Sequence, residues 1–372
     1  MSIFAQPAPQ AERPFFVDAH LDIAWNAIVF GRNPREPLAV RRAREQGSQA
    51  QRSNGTSVVS LEDMLRGGVG LICVTLYTGP TWANFSPLDR GYDNAQQANA
   101  LAHEQLRVYT ELLAAEPRLR LIRNRQDLAT LRQARAQGQA ALGLIVLMEG
   151  GDPILSPAQF DEWFRAGVRI VGPAWSATRY SGGTIYHGRG GGPLTNLGRQ
   201  LLVVMARYSA ILDLSHMDES AYLEAVESYQ GGIIASHSNP RDFIRSTTNR
   251  HLSDAMIRKL AARGGVMGLV AFNAFLHANR DLANQRHNTP ISRYVDTFAY
   301  VADLLGTTDN LGIGTDWDGG FGLERVPQGL DSHADFPRLA EALSARGYSD
   351  EQVRGIMGGN FLRLFERALP SV

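Results

Sequence analysis

Short apolar runs alternate with amphipathic stretches along most of this chain. Eight runs are rich in Val, Ile and Leu, and the stretches between them repeat apolar residues with the period of a helix. The predicted strands cover residues 15–22, 69–77, 141–149, 169–175, 210–216, 232–237, 265–272 and 311–316. The predicted helices cover residues 93–116, 124–137, 156–166, 197–207, 218–228, 253–263 and 291–306, and further helices follow the eighth strand. Such alternation is typical of parallel sheets, and eight units favour an α/β fold, a closed (β/α)8 barrel of the TIM type.

The remaining segments complete the predicted domain organisation. Residues 1–13 are polar and contain proline, so we predict an irregular N-terminal lead-in and a single barrel domain over residues 14–372. The longest connections, residues 23–68 and 176–196, contain clusters of Pro, Gly, Arg and Ser. We expect them to cover one end of the barrel, because long loops in compact domains are usually functional.

The composition is that of an ordinary globular protein, with 44% hydrophobic and 20% charged residues. The 37 basic and 37 acidic residues balance. Without a basic stripe there is no electrostatic reason to expect a nucleic acid or an anionic membrane as partner, which favours a small molecule. The N-terminus lacks the pattern of a signal peptide and no apolar run is long enough to span a membrane, so we predict a cytoplasmic protein.

Two residue types occur once each and restrict the possible chemistry. Cys73 lies inside an apolar run and is predicted to be buried and unreactive. Lys259, the only lysine, lies in a helical pattern away from any predicted strand end. A Schiff-base lysine, or a carbamylated lysine that bridges metal ions, is therefore not expected.

Histidines and acidic residues stand at the ends of several predicted strands. In a parallel barrel, functional groups gather at the C-terminal ends of the strands, and residues two apart face the same side. One histidine in such a place is more often structural than a ligand, but here three of the nine histidines and three acids share it. The predicted metal ligands are His20, Asp22, Glu149, His216 and His237, and Asp316 ends the eighth strand.

This set of residues predicts a metal-dependent hydrolase. Imidazole and carboxylate groups suit Zn²⁺, and also Mn, Fe or Co. Five ligands exceed the three that one tetrahedral catalytic ion takes from a protein, so we expect two divalent ions, with Zn²⁺ preferred. Two ions bridged by a carboxylate would hold a hydroxide and polarise a substrate carbonyl together. Glu149 is the natural bridge, because no lysine is available.

The motifs around these residues resemble those of the membrane (renal-type) dipeptidases, dinuclear zinc metallopeptidases of the amidohydrolase-like barrel group. The resemblance covers nearly the whole chain, and its short motifs are specific in their order and spacing. They are Asp18-Ala19-His20-Leu21-Asp22, Glu149-Gly150-Gly151, the segment 192–199, Asp213-Leu214-Ser215-His216, Ser236-His237-Ser238, the segment 312–319 and the C-terminal segment 359–363.

The resemblance implies a metal-dependent dipeptidase that cleaves the peptide bond of small dipeptides, L,D as well as L,L, through a hydroxide that bridges the metal ions. It implies that His20 and Asp22 bind one ion, that His216 and His237 bind the other, and that Glu149 bridges them. A homodimer is compatible with this resemblance, which is the only ground for expecting one.

The resemblance also implies roles toward the substrate. Asp316 would be the catalytic acid and base, because amide cleavage needs a group that takes the proton of water and delivers it to the leaving amine. Arg250 falls where the family's arginine clamps the substrate carboxylate. An exposed residue beside a helix cap is the alternative interpretation of Arg250.

Two departures from the family pattern lie near the expected substrate. Trp175 stands where better-known members have a histidine at the end of strand four, and Asp152 follows Glu149-Gly150-Gly151 where a histidine is often found. We therefore assign Trp175, Asp152 and Tyr180 to substrate binding. An indole can donate one N–H but cannot carry a positive charge, so oxyanion stabilisation has to come from the metals or from another donor. The candidate donors are Arg179, Tyr180 and His187.

Two other hypotheses remain open at the level of sequence. The same metal site could act on another amide, an acylated amino acid, a cyclic amide or a lactone, and a role for Arg250 would separate a free carboxylate from a neutral lactone. The chain could also be a barrel that binds a ligand without catalysis. Retention of all five ligands and Asp316 argues against that hypothesis, since an idle site needs no acid beside two metals.

Overall fold

The strands of the protein form one parallel sheet. A computed structural model describes residues 14–84 and 86–371. Within these residues the strands are β1 (Phe16–Leu21), β2 (Val69–Tyr77), β3 (Leu119–Leu121), β4 (Leu142–Glu149), β5 (Val168–Gly172), β6 (Ile211–Asp213), β7 (Ile233–Ala235), β8 (Val266–Leu269) and β9 (Leu311–Ile313). Their order is β1-β2-β4-β5-β6-β7-β8-β9, and β3 pairs with β4 outside this path. The predicted eight-stranded TIM-type barrel is confirmed, with β3 as an addition.

Helices alternate with these strands and surround them. In the described chain they are α1 (Ile23–Phe30), α2 (Leu38–Glu45), α3 (Gln49–Asn54), α4 (Leu61–Arg66), α5 (Ala95–Ala115), α6 (Arg125–Ala136), α7 (Phe160–Arg165), α8 (Asn196–Arg207), α9 (Glu219–Ser228), α10 (Asp254–Ala262), α11 (Arg280–Ala283), α12 (Ile291–Leu305), α13 (Phe336–Ala345), α14 (Asp350–Arg354) and α15 (Asn360–Ala368). A π-helical turn, Gly355–Gly359, joins the last two. No helix in the described ranges is both long and apolar enough to cross a membrane.

Capping residues explain where several of these helices begin. The side chains of Asn94, Asn124, Thr195 and Ser253 each accept a hydrogen bond from a backbone N–H in the first turn of α5, α6, α8 and α10. Such bonds satisfy donors that the helix itself leaves without partners. A glycine explains where α12 ends. The C-terminal cap of this helix is Gly306, whose φ of 70° lies in the left-handed region that favours glycine.

Side chains close the barrel where β9 returns to β1. β1 and β9 are the first and last strands in the order of the sheet. Just beyond β9, Asp316 N donates a hydrogen bond to His20 O in β1 (3.3 Å). The buried Asp18 carboxylate accepts hydrogen bonds from Thr315 N (2.9 Å), Thr315 Oγ1 (2.6 Å) and His333 Nε2 (2.9 Å). We call these three residues, Asp18, Thr315 and His333, the seam cluster.

Several predicted boundaries are wrong at the C-terminal ends of strands. The strand predicted over residues 210–216 ends at Asp213, and the one predicted over residues 311–316 ends at Ile313. The strands cannot continue to the predicted ends, because His216 (φ 65°) and Asp316 (φ 57°) have left-handed backbone conformations that a strand cannot contain. The apolar pattern of the sequence continues through such positions, so it does not show where the strand ends.

The connection 23–68 is more regular than the sequence suggested. It contains α1 to α4, and buried polar side chains hold it against the end of β9. Ser57 Oγ donates to Asp318 Oδ2 (2.7 Å) and Val58 N donates to Asp318 Oδ1 (3.0 Å). This connection covers the barrel end as predicted. The predicted lead-in, residues 1–13, lies outside the described residues.

Candidate metal centre

The predicted ligands converge at the C-terminal end of the barrel. His20 lies in β1 and Glu149 is the last residue of β4, while Asp22, His216 and His237 follow the ends of β1, β6 and β7. All five are buried. Because the strands are parallel, their C-terminal ends meet at one rim, which brings residues distant in sequence together. The structure therefore places the five predicted ligands in one cluster.

Glu149 stands between two groups of imidazoles. Its Oε2 lies 3.4 Å from His20 Nε2, and its Oε1 lies 3.3 Å from both His216 Nε2 and His237 Nε2. The last two nitrogens are 2.9 Å apart. One carboxylate thus faces His20 with one oxygen and the other two histidines with the second. A carboxylate in this position can contact cations held on either side of it.

Ser236 fixes the tautomers of two of these histidines. Its hydroxyl donates to Asp213 Oδ2 (2.5 Å), which uses its only proton. Its oxygen also lies 3.2 Å from His20 Nδ1 and 2.8 Å from His237 Nδ1, so both imidazoles have to donate their Nδ1–H to it. Once each ring is neutral, its Nε2 lone pair is then available for a metal ion. His20 Nε2 is buried and has no hydrogen-bond partner among the described residues.

His216 is held by the long connection between β5 and α8. Its Nδ1 lies 2.9 Å from Thr184 Oγ1, which turns Nε2 toward Glu149. The left-handed backbone of His216 costs free energy in a residue other than glycine, of order 1–3 kcal/mol. Such conformations persist where surrounding contacts enforce them, and here the enforced result is the direction of a ligand.

Asp22 and Asp316 form the open side of the centre. Asp22 Oδ1 and Asp316 Oδ1 lie 3.8 and 3.9 Å from His20 Nε2, and Thr75 Oγ1 donates to Asp22. A Cβ added to Gly319 would lie 2.2 Å from Asp316 Oδ1 and 2.8 Å from Asp22 Oδ2. Glycine therefore keeps the space above both carboxylates clear. The side chain of Asp316 is 14% exposed and that of His20 is fully buried, so Asp316 faces the mouth of the barrel.

Charges within the cluster shift its titration in opposite directions. Burial lowers the pKa of His20, but the carboxylates of Glu149, Asp22 and Asp316 outweigh it and raise that pKa to about 10. Burial also lowers the pKa of His216 and of His237 well below the usual range, and the positive charges of Arg250 and His20 add to this. Burial and the neighbouring carboxylates raise the pKa of Asp316.

The donor set fits divalent cations. Among the described residues, two groups of side chains have ligand atoms within 4.8 Å of one another: His20, Glu149 and His237, and His20, Asp22 and Asp316. Bare imidazole nitrogens, a shared carboxylate and the space kept by Gly319 are what such ions need. The second group adds Asp316 to the candidate ligands, beyond the predicted role in proton transfer.

Arg250 brings a positive charge to the same mouth. It is 7% exposed, and its Nη2 donates to His237 O (2.9 Å). Its Nη1 is buried with no hydrogen-bond partner in the described chain, and the guanidinium lies 5.3 Å from the centre of the Phe275 ring. The interpretation of Arg250 as an exposed helix neighbour is therefore wrong. A buried N–H without a partner is available to an anionic ligand.

Aromatic rings line the side of the mouth where Trp175 stands. Trp175 is 5% exposed, stacks on Tyr186 with ring centres 4.7 Å apart, and lies 6.1 Å from the ring of His216. Tyr77 contacts Trp175 edge-on, with ring centres 5.2 Å apart. Tyr77 also pairs in register with Glu149, so it lies beside that residue on the neighbouring strand. Trp175 therefore lies near the predicted ligand His216, and its role in substrate binding stays a prediction.

Asp152 and Tyr180 have other partners. Asp152 Oδ2 accepts from Tyr92 Oη (2.7 Å), and its Oδ1 accepts from Arg179 N (2.9 Å) and Nε (3.3 Å). Tyr180 is fully buried and its hydroxyl donates to Ile154 O. A substrate-binding role for either stays a prediction, which these contacts do not favour.

Two of the three candidate oxyanion donors, Arg179 and Tyr180, also have other partners. The Arg179 guanidinium also contacts backbone carbonyls, with Nη2 donating to Ile154 O at 2.7 Å. Tyr180 is oriented by Ile154, and His187 is exposed on the loop. Tyr186, which the sequence did not single out, lies within electrostatic range of Arg250, Glu149 and Asp316. The pattern of the sequence could not identify Tyr186, because this residue lies in the irregular connection between β5 and α8.

Known proteins match this chain over nearly all of its length. The profile of membrane dipeptidases, peptidase family M19, matches residues 10–369. The chain belongs to the membrane dipeptidase family. An uncharacterised protein of Klebsiella pneumoniae is 27% identical to this M19 chain over 270 residues, 71% of this chain and 94% of that protein. Human dipeptidase 3 is 26% identical over 281 residues, 73% of this chain but 53% of its own length.

Solved structures of M19 proteins share the fold. The metallopeptidase dipeptidase AC is 23% identical, with a TM-score of 0.75 over 97% of this chain and 100% of its own. A metallopeptidase from Rhodobacter sphaeroides, liganded with a phosphinate mimic of the dipeptide L-Ala-D-Ala, is 23% identical, with a TM-score of 0.76 over 96% and 99%. These structural similarities agree with the barrel fold. The family match confirms the predicted resemblance to the membrane dipeptidases.

Proposed function

We propose that this M19 chain hydrolyses small dipeptides with two divalent metal ions, Zn²⁺ being preferred. The observation that carries the proposal is the position of Glu149, whose two oxygens lie 3.4 Å from His20 Nε2 and 3.3 Å from the Nε2 atoms of His216 and His237. In this assignment His20 and Asp22 hold one ion, His216 and His237 hold the other, and Glu149 bridges them. L,D dipeptides are included because the R. sphaeroides relative is liganded with a mimic of L-Ala-D-Ala.

The residues of the site have separate parts in the proposed reaction. Bound divalent ions would lower the pKa of water and polarise the peptide carbonyl. Asp316, at the open side of the cluster, takes the proton of the attacking water and delivers it to the leaving amine. Ser236 and Thr184 keep the imidazoles oriented.

Arg250 supports a substrate with a free carboxylate. Its buried Nη1 has no partner among the described residues, and an anion left without a partner in the barrel mouth would cost several kcal/mol. A guanidinium N–H offers a charge-assisted hydrogen bond to a carboxylate. This favours dipeptides over lactones and other neutral substrates. The predicted homodimer and cytoplasmic location stay predictions, and neither bears on this chemistry.

The decisive experiment combines metal analysis with paired substrates. We expect about two ions per chain in a zinc-supplemented preparation, loss of activity on chelation, and hydrolysis of L,L or L,D dipeptides. Arg250→Met should strongly reduce kcat/KM for a dipeptide and hardly change it for the corresponding dipeptide amide. One ion or none in an active preparation would contradict the dinuclear assignment. Equal losses for dipeptide and amide would favour the acylated or cyclic substrates instead.

A further inference from the structure

The connection between β5 and α8 contains a tight hairpin. Tyr186 and Arg189 pair at its tip, with hydrogen bonds from Tyr186 N to Arg189 O (2.8 Å) and from Arg189 N to Tyr186 O (2.9 Å). His187 (φ 50°) and Gly188 (φ 74°) form the turn, and positive φ at both central residues is typical of a two-residue hairpin. This turn fixes the backbone position of Tyr186.

Two contacts show where the hairpin lies. Thr184 Oγ1 lies 2.9 Å from Nδ1 of the predicted ligand His216. Ile185 N donates a hydrogen bond to the side chain of Asn249 (2.9 Å), which directly precedes Arg250 in the chain. The strand of the hairpin that leads to Tyr186 therefore runs between His216 and the segment that carries Arg250, at the mouth of the barrel.

The side chain of Tyr186 points to the same side as that of Thr184. Side chains alternate along an extended segment, and burial alternates here, because Thr184 is 2% exposed and the next residue, Ile185, is 47% exposed. The Tyr186 ring stacks on Trp175 with ring centres 4.7 Å apart, and Trp175 lies 6.1 Å from the ring of His216. Tyr186 therefore faces the metal centre rather than solvent.

The hydroxyl of Tyr186 lies among the charges of the site. Burial raises the pKa of Tyr186, so the hydroxyl keeps its proton at neutral pH. The charges of Arg250, Glu149 and Asp316 also act on this pKa, as does a hydrogen bond from the Thr184 hydroxyl. A phenolic oxygen that accepts a hydrogen bond can still donate its own proton to a ligand.

The chemistry of amide cleavage indicates which ligand atom suits this donor. Attack of water turns the neutral carbonyl oxygen into an anion, and a donor directed at that oxygen stabilises the transition state more than the bound substrate. In the proposed assignment the substrate carboxylate pairs with Arg250, and the peptide carbonyl lies at Glu149. Tyr186 shares its face with Thr184, which contacts the ligand His216. This favours the carbonyl oxygen as its partner.

We propose that Tyr186 is a catalytic residue, whose hydroxyl donates a hydrogen bond to the oxygen of the scissile carbonyl as that oxygen becomes negatively charged. The proposal rests on the proposed dipeptidase function and adds a residue to it. Stacking on Trp175 holds the ring, and Thr184 orients the hydroxyl. The proton stays on Tyr186 throughout the reaction.

Tyr186→Phe removes the hydroxyl and keeps the ring that stacks on Trp175. We expect kcat for a dipeptide to fall about 100-fold, the scale for loss of one such donor. KM should stay within about 2-fold of wild type, because the lost bond forms in the transition state. Elemental analysis should find the same metal content as in wild type, so that the loss of rate is not a loss of ions.

Binding measurements on the zinc-loaded protein provide a readout that does not depend on turnover. Calorimetry compares a phosphinate analogue of the dipeptide, which has a tetrahedral anion in place of the carbonyl, with an analogue whose peptide bond is reduced to CH2–NH and carries no oxygen there. Tyr186→Phe should weaken phosphinate binding about 100-fold. It should change binding of the reduced analogue by less than about 2-fold.

Tyr208→Phe is the matched control. It also removes one tyrosine hydroxyl with a hydrogen bond, since Tyr208 Oη donates to Asp161 (2.9 Å) between the end of α8 and the start of α7. This variant should match wild type in kcat, in KM and in the affinity for both analogues.

Each other result would overturn the proposal. Wild-type kcat and phosphinate affinity in Tyr186→Phe would remove Tyr186 from the reaction. A raised KM with unchanged kcat would show that Tyr186 binds the substrate before the reaction, for example its carboxylate beside Arg250. Equal losses of affinity for the two analogues, or a loss of metal, would show that Tyr186 only shapes the site. In these cases the dipeptidase function stands, whereas a wild type that is fully loaded and cleaves no dipeptide would contradict both.

Discussion

At the scale of single residues, hydrogen bonds behind the ligands decide how the ligands point. His20 and His237 could be predicted as ligands from their positions at strand ends. The role of Ser236, which orients both rings through one oxygen, could not be predicted, because a serine next to a strand-end histidine carries no signal of its own. Its role becomes clear only when its hydroxyl proton is assigned to Asp213, because its oxygen can then only accept from the two imidazoles.

Ser236→Ala should weaken metal binding with little change in the fold. Without the hydroxyl, His20 and His237 lose the acceptor that keeps their Nε2 atoms bare, and losses of about 10–100-fold in metal affinity are typical of such partners. Competition with a chromogenic chelator measures the affinity. Ser60→Ala is a matched buried control, since Ser60 Oγ accepts from Asp63 N at the start of α4. Unchanged affinity in Ser236→Ala would contradict the tautomer argument.

Asp316→Asn should reduce kcat by about 100-fold or more while keeping most of the metal, because an amide cannot transfer the proton. Steady-state kinetics and elemental analysis on the same preparation separate the two effects. If metal is lost together with activity, Asp316 acts as a ligand, as its grouping with His20 and Asp22 allows. Wild-type turnover would remove both roles.

Metal binding should release protons, and His20 should contribute one of them at neutral pH. Its pKa is raised from 6.5 to about 10, so the metal-free ring holds a proton at neutral pH and must lose it to bind an ion. Affinity should therefore rise with pH up to about 10 and fall toward acid. Calorimetric titration with Zn²⁺ in buffers of different ionisation enthalpy counts the protons released. No release at neutral pH would show that His20 is already neutral.

At the scale of elements, the strands could be predicted and the connections could not. Buried parallel strands leave an unbroken apolar signal, which is why all eight were found. The connection between β5 and α8 takes its shape from contacts distant in sequence. Asn249 accepts from Ile185 N (2.9 Å) and donates to Gly183 O (2.9 Å), on either side of Thr184, the partner of His216.

Asn249→Ala should loosen this connection without unfolding the barrel. Two backbone groups lose their partner, so hydrogen exchange should increase in residues 176–195. We expect kcat/KM to fall about 10-fold through the misplaced His216, because small misplacements near the chemistry are costly. Asn288→Ala, a polar change on the distant connection before α12, should leave both quantities unchanged. Protection of residues 176–195 equal to wild type would contradict this role for Asn249.

At the scale of the whole molecule, the barrel depends on the joint between its first and last strands. The pattern of eight strands and the site at one rim could be predicted, because both follow from periodicity and from the rule that strand ends meet. How β9 meets β1 could not be predicted, since the seam cluster joins residues some three hundred positions apart through side chains. Asp18 was visible only as part of a motif.

Asp18→Ala should therefore destabilise the whole barrel. The carboxylate is fully buried and accepts from Thr315 N, Thr315 Oγ1 and His333 Nε2, and each donor left without a partner costs about 1–3 kcal/mol. We expect a loss of about 3 kcal/mol or more in the free energy of unfolding, measured by urea denaturation. The loss should persist in chelated protein, because the seam cluster does not depend on bound ions. Asp303→Ala, an exposed control on α12, should change stability by less than about 0.5 kcal/mol. A loss in Asp18→Ala that appears only with metal present would mean that Asp18 serves the neighbouring ligand His20 rather than the closure of the barrel.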